Sequence, residues 1–301
     1  MGTKKKISVV GVPMDLGQIR RGVDMGPSAM RYAGLLEDLK GQGFEVIDYG
    51  DLTIHRSTNG TNQEQKIRNL QEVISVSEEL CIKLDETITK GGFPLVLGGD
   101  HSISIGSIAG IAKHYQNLGV IWYDAHADLN TVETSPSGNI HGMPLAINLG
   151  FGHPLLTKIG DYSPKVTPEN IVIIGARSID EGERTFIQEK GIKVFTMHEI
   201  DRRGMTTVME EAIRYLEDRT DGVHLSFDLD SIDPIYAPGV GTPVRGGVTY
   251  RESHLAMELL AEADIITSAE FVEVNPILDD KNTTADIAIE LVASLLGKQL
   301  L

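Results

Sequence analysis

The sequence predicts an α/β protein in which a parallel sheet of about eight strands is covered by helices. Short runs rich in valine and isoleucine recur along the whole chain, and longer segments with helical periodicity separate them. Hydrophobic residues make up 41% of the 301 residues and charged residues 23%, which is ordinary usage for a chain that buries a core. Neither a low-complexity linker nor a shift of composition divides the chain, so we predict a single domain over residues 1–301.

The predicted strands are the short apolar runs. They cover Ile7–Val12, Phe44–Asp48, Pro94–Leu97, Val120–Asp124, Ile171–Gly175, Ile192–Phe195, Val223–Asp228 and part of Ile265–Val274. The predicted helices are the longer periodic segments between and after the strands. They cover Pro27–Lys40, Gln63–Lys90, Ile103–Gln116, Glu181–Glu189, Met205–Glu217, Tyr250–Ala263 and Thr284–Leu300. Periodicity alone does not decide whether such strands close into a barrel or lie open as a doubly wound sheet.

The charge of the chain argues against a nucleic acid or a membrane surface as a partner. Lysine and arginine number 27 against 43 aspartates and glutamates, which gives a formal net charge of −16. Phosphate groups and anionic lipids bind to basic surfaces, so both should be repelled here. The single cysteine, Cys81, cannot form an internal disulfide, and a reducing cytoplasm is the simplest location for such a chain.

Clusters of polar residues directly follow four of the predicted strands. The segments are GGDHS, DAHADLN, DLDSIDP and, at the end of the last strand, EFVEVNP. Ligand sites of such folds form at the carboxyl ends of the strands, so we expect these clusters to share one edge of the sheet. Carboxylates gathered there repel one another unless a cation neutralises them. The sequence therefore predicts a metal site.

The candidate metal ligands are two histidines and four aspartates. They are His101, Asp124, His126, Asp128, Asp228 and Asp230. Imidazole and carboxylate ligands without thiolates make Mn²⁺ a good first choice, and four carboxylates balance two divalent ions. An extended strand end would present three of them on one face, because Asp124, His126 and Asp128 alternate along the chain. Taken singly these motifs are weak, and Asp100 is expected mainly to cap the helix that follows it.

Six blocks of the sequence occur in an order and at spacings that are typical of one family. They are RRGVDMGPSAMR, LVLGGDHS, WYDAHADLNT, SPSGNIHGMP, SFDLDSIDP and EFVEVNP, and they span essentially the full chain. In these blocks the sequence resembles the ureohydrolase family, and most closely its bacterial arginases. The resemblance implies an open, parallel, eight-stranded sheet flanked by helices, with a two-manganese site that hydrolyses a guanidinium group to urea. Ser231 stands where the family commonly has glycine, which removes no ligand.

Residue roles follow from the resemblance by position. One manganese would be held by His101, Asp124, Asp128 and Asp228, and the other by Asp124, His126, Asp228 and Asp230. Asp124 and Asp228 would bridge the ions, and a hydroxide between them would attack L-arginine to give L-ornithine and urea. His141 resembles the proton shuttle of the family, and Glu273 the carboxylate that orients the guanidinium. Glu270 is expected to be structural.

Substrate specificity depends, by the same resemblance, on the other end of the substrate. Asn130, Ser137 and Asn139 correspond to contacts of the α-carboxylate, while Asp180 and Glu183 correspond to residues near the α-ammonium group. These favour L-arginine over agmatine, which lacks the carboxylate. Asp180 and Glu183 are also compatible with ordinary acids in the first turn of a helix.

Other functions stay open from the sequence. They are another ureohydrolase, such as an agmatinase or a guanidino-acid hydrolase, a single-metal amide deacetylase with a related sheet, and a metal-binding protein without turnover. The resemblance to bacterial members also implies a homo-oligomer, either a trimer or a hexamer.

Overall fold

A computed structural model describes residues 5–56 and 67–298. Its strands are β1 (Lys6–Val12), β2 (Glu45–Asp51), β3 (Phe93–Gly98), β4 (Leu118–Tyr123), β5 (Ile171–Ala176), β6 (Lys193–Thr196), β7 (Gly222–Asp228) and β8 (Ile266–Val272). All neighbouring strands are parallel, and they form one sheet in the order β2-β1-β3-β8-β7-β4-β5-β6. The edge strands β2 and β6 lie at opposite ends, so the sheet is open. The prediction of an open, parallel, eight-stranded sheet is confirmed.

Helices cover both faces of this sheet. They are α1 (Gly26–Tyr32), α2 (Leu35–Gly41), α3 (Leu70–Thr89), α4 (Ser104–Ile111), α5 (Pro144–Asn148), α6 (Pro154–Thr157), α7 (Glu181–Lys190), α8 (Met197–Arg203), α9 (Met205–Glu217), α10 (Tyr250–Ala263) and α11 (Thr283–Leu295). Within residues 5–56 and 67–298, no helix combines the length and the apolar character needed to cross a membrane.

The alternation of side chains along the strands divides the core into two layers. On one face, Val9, Leu95 and Ile121 pack with α1, α2 and α8 to α11. On the other face, Val10 and Trp122 pack with α3 to α7. Because both faces are covered, β3, β4 and β5 are apolar and buried at every position, as expected of a parallel sheet with helices on both sides.

Three predicted helices differ from the structure at points where the backbone turns. The predicted helix Pro27–Lys40 is split into α1 and α2, because Gly34 has a φ of 100° and interrupts the helical path. The helix predicted from Gln63 begins at Leu70, since Asn69 before it has a φ of 48°. The first residues of that prediction, 63–66, lie outside the described residues, as does the end of the last predicted helix. The helix predicted to reach Gln116 already leaves α-helical geometry after Ile111.

Candidate metal centre and substrate cleft

The site lies at the carboxyl ends of four adjacent strands, β3, β8, β7 and β4. The segment after β3 carries His101, the end of β7 and the turn after it carry Asp228 and Asp230, and the segment after β4 carries Asp124. Glu273 directly follows β8, between these segments. The strands are distant in sequence, so the sheet order alone brings these side chains together.

A first group of potential ligands surrounds the His101 ring. Its Nδ1 atom lies 3.2 Å from Oδ2 of Asp124, 3.1 Å from Oδ2 of Asp128 and 3.2 Å from Oδ2 of Asp228. This Nδ1 atom is buried and has no hydrogen-bond partner among the described residues. A buried nitrogen that faces three carboxylates in this way is suited to binding a cation. We call His101, Asp124 and Asp228 the His101 group, with Asp128 beside it.

A second group surrounds His126. Its Nδ1 atom lies 3.4 Å from Oδ1 of Asp124 and 3.2 Å from Oδ2 of Asp230. We call Asp124, His126 and Asp230 the His126 group; their ligand atoms lie within 4.8 Å of one another, as do those of the His101 group. Asp124 belongs to both groups, whereas Asp228 contributes to the His101 group. Two neighbouring metal positions that share a carboxylate are therefore available.

The electrostatics of these groups favour a bound cation. Burial, followed by the charges of Asp230 and Asp124, raises the pKa of Asp228 well above its usual value. Burial and the charge of Asp124 also raise the pKa of Asp128, to about 6. Burial opposes protonation of His101, yet the surrounding carboxylates of Asp124, Asp128 and Asp228 raise its pKa well above the usual value. Neighbouring negative charge contributes to all three shifts, and a divalent cation would neutralise it.

Backbone hydrogen bonds in local turns orient the carboxylates of Asp124 and Asp228. Oδ1 of Asp124 accepts the N–H of His126 at 2.7 Å, and Oδ1 of Asp228 accepts the N–H of Asp230 at 2.7 Å. Asp128 differs from the expectation of an extended strand end, because β4 stops at Tyr123 and Asp128 has a φ of 50°. A left-handed residue in a loop, and not strand alternation, thus brings the third side chain of the motif to the site.

Trp122 contacts two of the potential metal ligands, a role that was not predicted from the sequence. Its ring stacks on His101 with 4.0 Å between ring centroids, and its Nε1 donates to Oδ2 of Asp124 at 2.9 Å. Thr242 was also missed; its hydroxyl donates to Oδ2 of Asp230 at 2.9 Å. Asp100 caps the next turn, where it accepts the N–H of Ser102 at 3.0 Å.

His141 and Glu273 form a pair beside the metal centre. Nδ1 of His141 lies 3.2 Å from Oε1 of Glu273, which also accepts the N–H of His101 at 3.0 Å. Oε2 of Glu273 accepts from the Gln18 side chain at 2.9 Å. Burial opposes protonation of His141, but the hydrogen bond and charge of Glu273 raise its pKa to about 9. Gln18 was not predicted, although it follows β1 at the same edge of the sheet.

The residues predicted at the far end of the substrate line one cleft with the metal centre. The cleft has a volume of about 130 Å³. Its lining includes all five of them: Asn130, Ser137, Asn139, Asp180 and Glu183. His101, His126, Asp128, His141 and Asp228 line the same cleft.

The two acids at this end have different environments. Asp180 accepts a hydrogen bond from Nδ2 of Asn130 at 2.9 Å. Glu183 is buried, and its two oxygens accept the N–H groups of Leu129 at 3.0 Å and of Asp180 at 2.8 Å. Burial raises the pKa of Glu183 to about 7 although these backbone bonds favour its ionised form. Glu183 thus joins two loops of the cleft, while Asp180 is the exposed acid of the two.

Comparison with known proteins assigns the family. The model of the arginase family matches residues 5–297. An arginase of Bacillus caldovelox is 65% identical over 298 residues, covering 99% of this chain and 100% of that protein. A solved structure of the arginase from Bacillus caldovelox superposes with a TM-score of 0.97, covering 99% of this chain and 100% of that one. The arginase of Entamoeba histolytica in complex with L-ornithine is 37% identical, with a TM-score of 0.89 and coverage of 98% and 99%. The chain belongs to the arginase family.

Proposed function

We propose that this protein hydrolyses L-arginine to L-ornithine and urea with two manganese ions per chain. The observation that carries the proposal is the pair of ligand groups that share Asp124, whose His101, His126 and Asp228 line one cleft. The full-length similarity to proteins named arginase supports the same reaction. The single sheet that spans the described residues supports a single domain over the whole chain.

The donor atoms fit a pair of divalent ions. The carboxylate of Asp124 is shared by the two positions. Nδ1 of His101, which has no hydrogen-bond partner in the described part of the chain, belongs to one of them. His101, Asp124, Asp128 and Asp228 would hold one ion, and Asp124, His126, Asp228 and Asp230 would hold the other. Oxygen and nitrogen donors without sulfur support Mn²⁺ over softer metals. When bound, such a pair activates water for attack on the guanidinium carbon and stabilises the charge that develops there.

Glu273 orients the reacting end of the substrate in this proposal. Its carboxylate is buried and held on both oxygens, by the His101 backbone and by Gln18, so it is fixed before substrate binds. A fixed carboxylate suits the paired N–H groups of a guanidinium, and fixing it in advance lowers the entropic cost of binding. Burial opposes the ionisation of Glu273, but His141 outweighs it and lowers the pKa of Glu273.

His141 transfers protons in this proposal. The contact with Glu273 engages Nδ1 and leaves the other ring nitrogen for exchange with the departing amine or with water. His141 lines the cleft and is partly exposed, with 17% of its side chain accessible, so a proton can pass between the site and solvent. An imidazole held by a carboxylate in this manner keeps one orientation through the cycle.

The far end of the cleft supports an amino acid as the substrate. Asn130, Ser137 and Asn139 offer neutral polar groups for an α-carboxylate, and Asp180 offers a negative charge for an α-ammonium group. Glu183 holds the backbones of two loops of the cleft together through its two oxygens. The Entamoeba histolytica relative is described in complex with L-ornithine, an amino acid of the type that this end would bind.

The direct test compares urea release from L-arginine and from agmatine with manganese-loaded protein. We expect kcat/KM to be higher for L-arginine by at least about 100-fold, because agmatine leaves the polar groups at the carboxylate end unpaired. A preference for agmatine or for a guanidino acid would instead favour another ureohydrolase activity.

We also propose a cytoplasmic homo-oligomer, either a trimer or a hexamer. The only cysteine, Cys81, is buried and free, which suits a reducing compartment. Several large apolar side chains are exposed in the chain, among them Ile19, Ile235 and Ile277, and subunit contacts could cover them. Light scattering coupled to gel filtration measures the assembly; a monomer at micromolar concentration contradicts this part of the proposal.

A further inference from the structure

A buried polar network lies on the side of the His101 ring opposite to the carboxylates. Nε2 of His101 is 2.8 Å from Oγ of Ser226, and this hydroxyl donates to Oε1 of Glu270 at 2.7 Å. Ser226 and Glu270 are paired in register on the neighbouring strands β7 and β8. All three side chains are almost completely buried, with residue exposures of 1% or less. The contacts therefore depend on the core of the sheet, not on a mobile loop.

Glu270 is the charged end of this network. Besides Ser226, its oxygens accept the hydroxyls of Ser104 and Ser107, each at 2.5 Å. Nε2 of His224, which is also fully buried, lies 3.3 Å from Oε1. Burial opposes ionisation of Glu270, but His224 and the hydroxyl donors hold its pKa at about 2. Three serine hydroxyls donate to its two oxygens, which are the contacts of an ionised, acceptor-only carboxylate.

The positions of the protons follow from these hydrogen bonds. A serine hydroxyl has one hydrogen, and the hydrogen of Ser226 points to Glu270. Towards His101, the Ser226 oxygen can then only accept, so Nε2 of His101 must carry a hydrogen. In the neutral imidazole that binds metals, the lone pair is consequently on Nδ1, the atom that faces Asp124, Asp128 and Asp228.

We propose that Glu270, acting through Ser226, is a positioning residue that fixes the tautomer and the orientation of His101 and so sets the metal affinity of the His101 group. The inference rests on the proposed metal centre and adds a function to a residue that the sequence analysis assigned to structure alone. Outer partners of this kind commonly change metal affinity about 10-fold to 100-fold when they are removed. The network touches His101 and not His126, so its effect should be confined to one of the two metal positions.

The test compares Ser226→Ala with Ser107→Ala. Both serines are fully buried and both donate one hydrogen bond to Glu270, but only Ser226 contacts His101. Metal-free full-length proteins are titrated with Mn²⁺ alone, and free Mn²⁺ is followed by electron paramagnetic resonance. We expect Ser226→Ala to bind one of two ions about 10-fold to 100-fold more weakly. The spectrum of the spin-coupled manganese pair should weaken in parallel, while Ser107→Ala stays close to wild type.

A purely structural role predicts a different result, namely equal losses of melting temperature in both variants and unchanged metal binding in both. That result would overturn the inference. If Ser226→Ala does not fold, Glu270→Gln is measured in the same way, because a neutral amide no longer fixes the direction of the Ser226 hydroxyl; wild-type affinity in that variant contradicts the inference as well. The underlying proposal fails separately, if the wild-type chain itself does not bind two manganese ions.

Discussion

His141 and Glu273 are in direct contact, with 3.2 Å between Nδ1 and Oε1. This contact links the group proposed to move protons to the group proposed to orient the guanidinium. The same Glu273 oxygen accepts the backbone N–H of His101, so the pair is also joined to the metal centre through the main chain. The groups proposed for proton transfer, substrate orientation and metal ligation are thus joined by one set of contacts.

His141→Asn should retain metal and lose rate. The imidazole lies outside both ligand groups, but no amide can accept and release protons near neutral pH. We expect kcat to fall by about 100-fold or more, with two Mn²⁺ ions still bound. Steady-state urea release and metal analysis of the same sample check this. His114→Asn serves as the matched control, since His114 pairs with Asp85 on the surface; a His141 variant with the same rate as this control would remove the shuttle role.

Asp128→Asn and Asp230→Asn should lose metal and activity together. Each change removes a negative charge from a buried cluster and replaces a ligand oxygen that faces a histidine. At free Mn²⁺ about 100-fold above Kd, each occupied position stabilises the native state by about 2.7 kcal/mol. Manganese should therefore raise the melting temperature of the wild-type protein more than that of either variant. Asp85→Asn, an exposed control, should respond to manganese as the wild type does, and an equal response of all four proteins would argue against the assigned ligands.

Asp180→Asn should weaken substrate binding, whereas Glu183→Gln should lower the stability of the fold. Asp180 lies at the cleft with a carboxylate available to the substrate ammonium group, so its variant should raise KM for L-arginine about tenfold with little change in melting temperature. Glu183 accepts two backbone N–H groups, and an amide in its place would face one of them with a donor. Glu183→Gln should therefore lower the free energy of unfolding by about 1–3 kcal/mol. Thermal unfolding and substrate kinetics of both variants give the comparison; the reverse pattern would exchange the two roles.

The free energy of unfolding should depend on pH through Lys165, a residue that is not part of the metal centre. Its ammonium group donates to the carbonyl oxygen of Thr157 at 2.7 Å and to that of Tyr162, and burial lowers its pKa from 10.5 to about 8. Between these two values the unfolded chain binds more protons than the folded protein, so the free energy of unfolding rises with pH. Relative to Lys165→Met, the wild type should gain up to about 3 kcal/mol between pH 7 and pH 10.5. Denaturant unfolding at several pH values measures this, and a constant difference would mean that Lys165 titrates normally.

Much of the site could be predicted from the sequence because the ligand-bearing segments directly follow apolar strands. His101, Asp124 and Asp228 each come within three residues of a strand end, where a parallel sheet forms its ligand site. The adjacency of β3, β8, β7 and β4 could not be predicted from periodicity. Strand order depends on contacts between segments far apart in the chain, and it becomes visible only in the structure.

The missed features have local physical reasons. Gln18 and Thr242 reach the site from loops, and neither lies in a periodic pattern that marks it. The position of Asp128 depends on a left-handed backbone conformation that the strand-like spacing of its motif did not indicate. The helix α8 was not predicted, although its start has a recognisable sequence pattern. Thr196 and Glu199 form a capping box there.

The most direct measurement of the central claim is a titration of metal-free protein with Mn²⁺ while urea release from L-arginine is followed. The two ligand groups sharing Asp124 predict that the rate rises until two equivalents per chain are bound and then stays constant. A plateau at one equivalent, or urea release that continues unchanged in a metal chelator, would contradict the account.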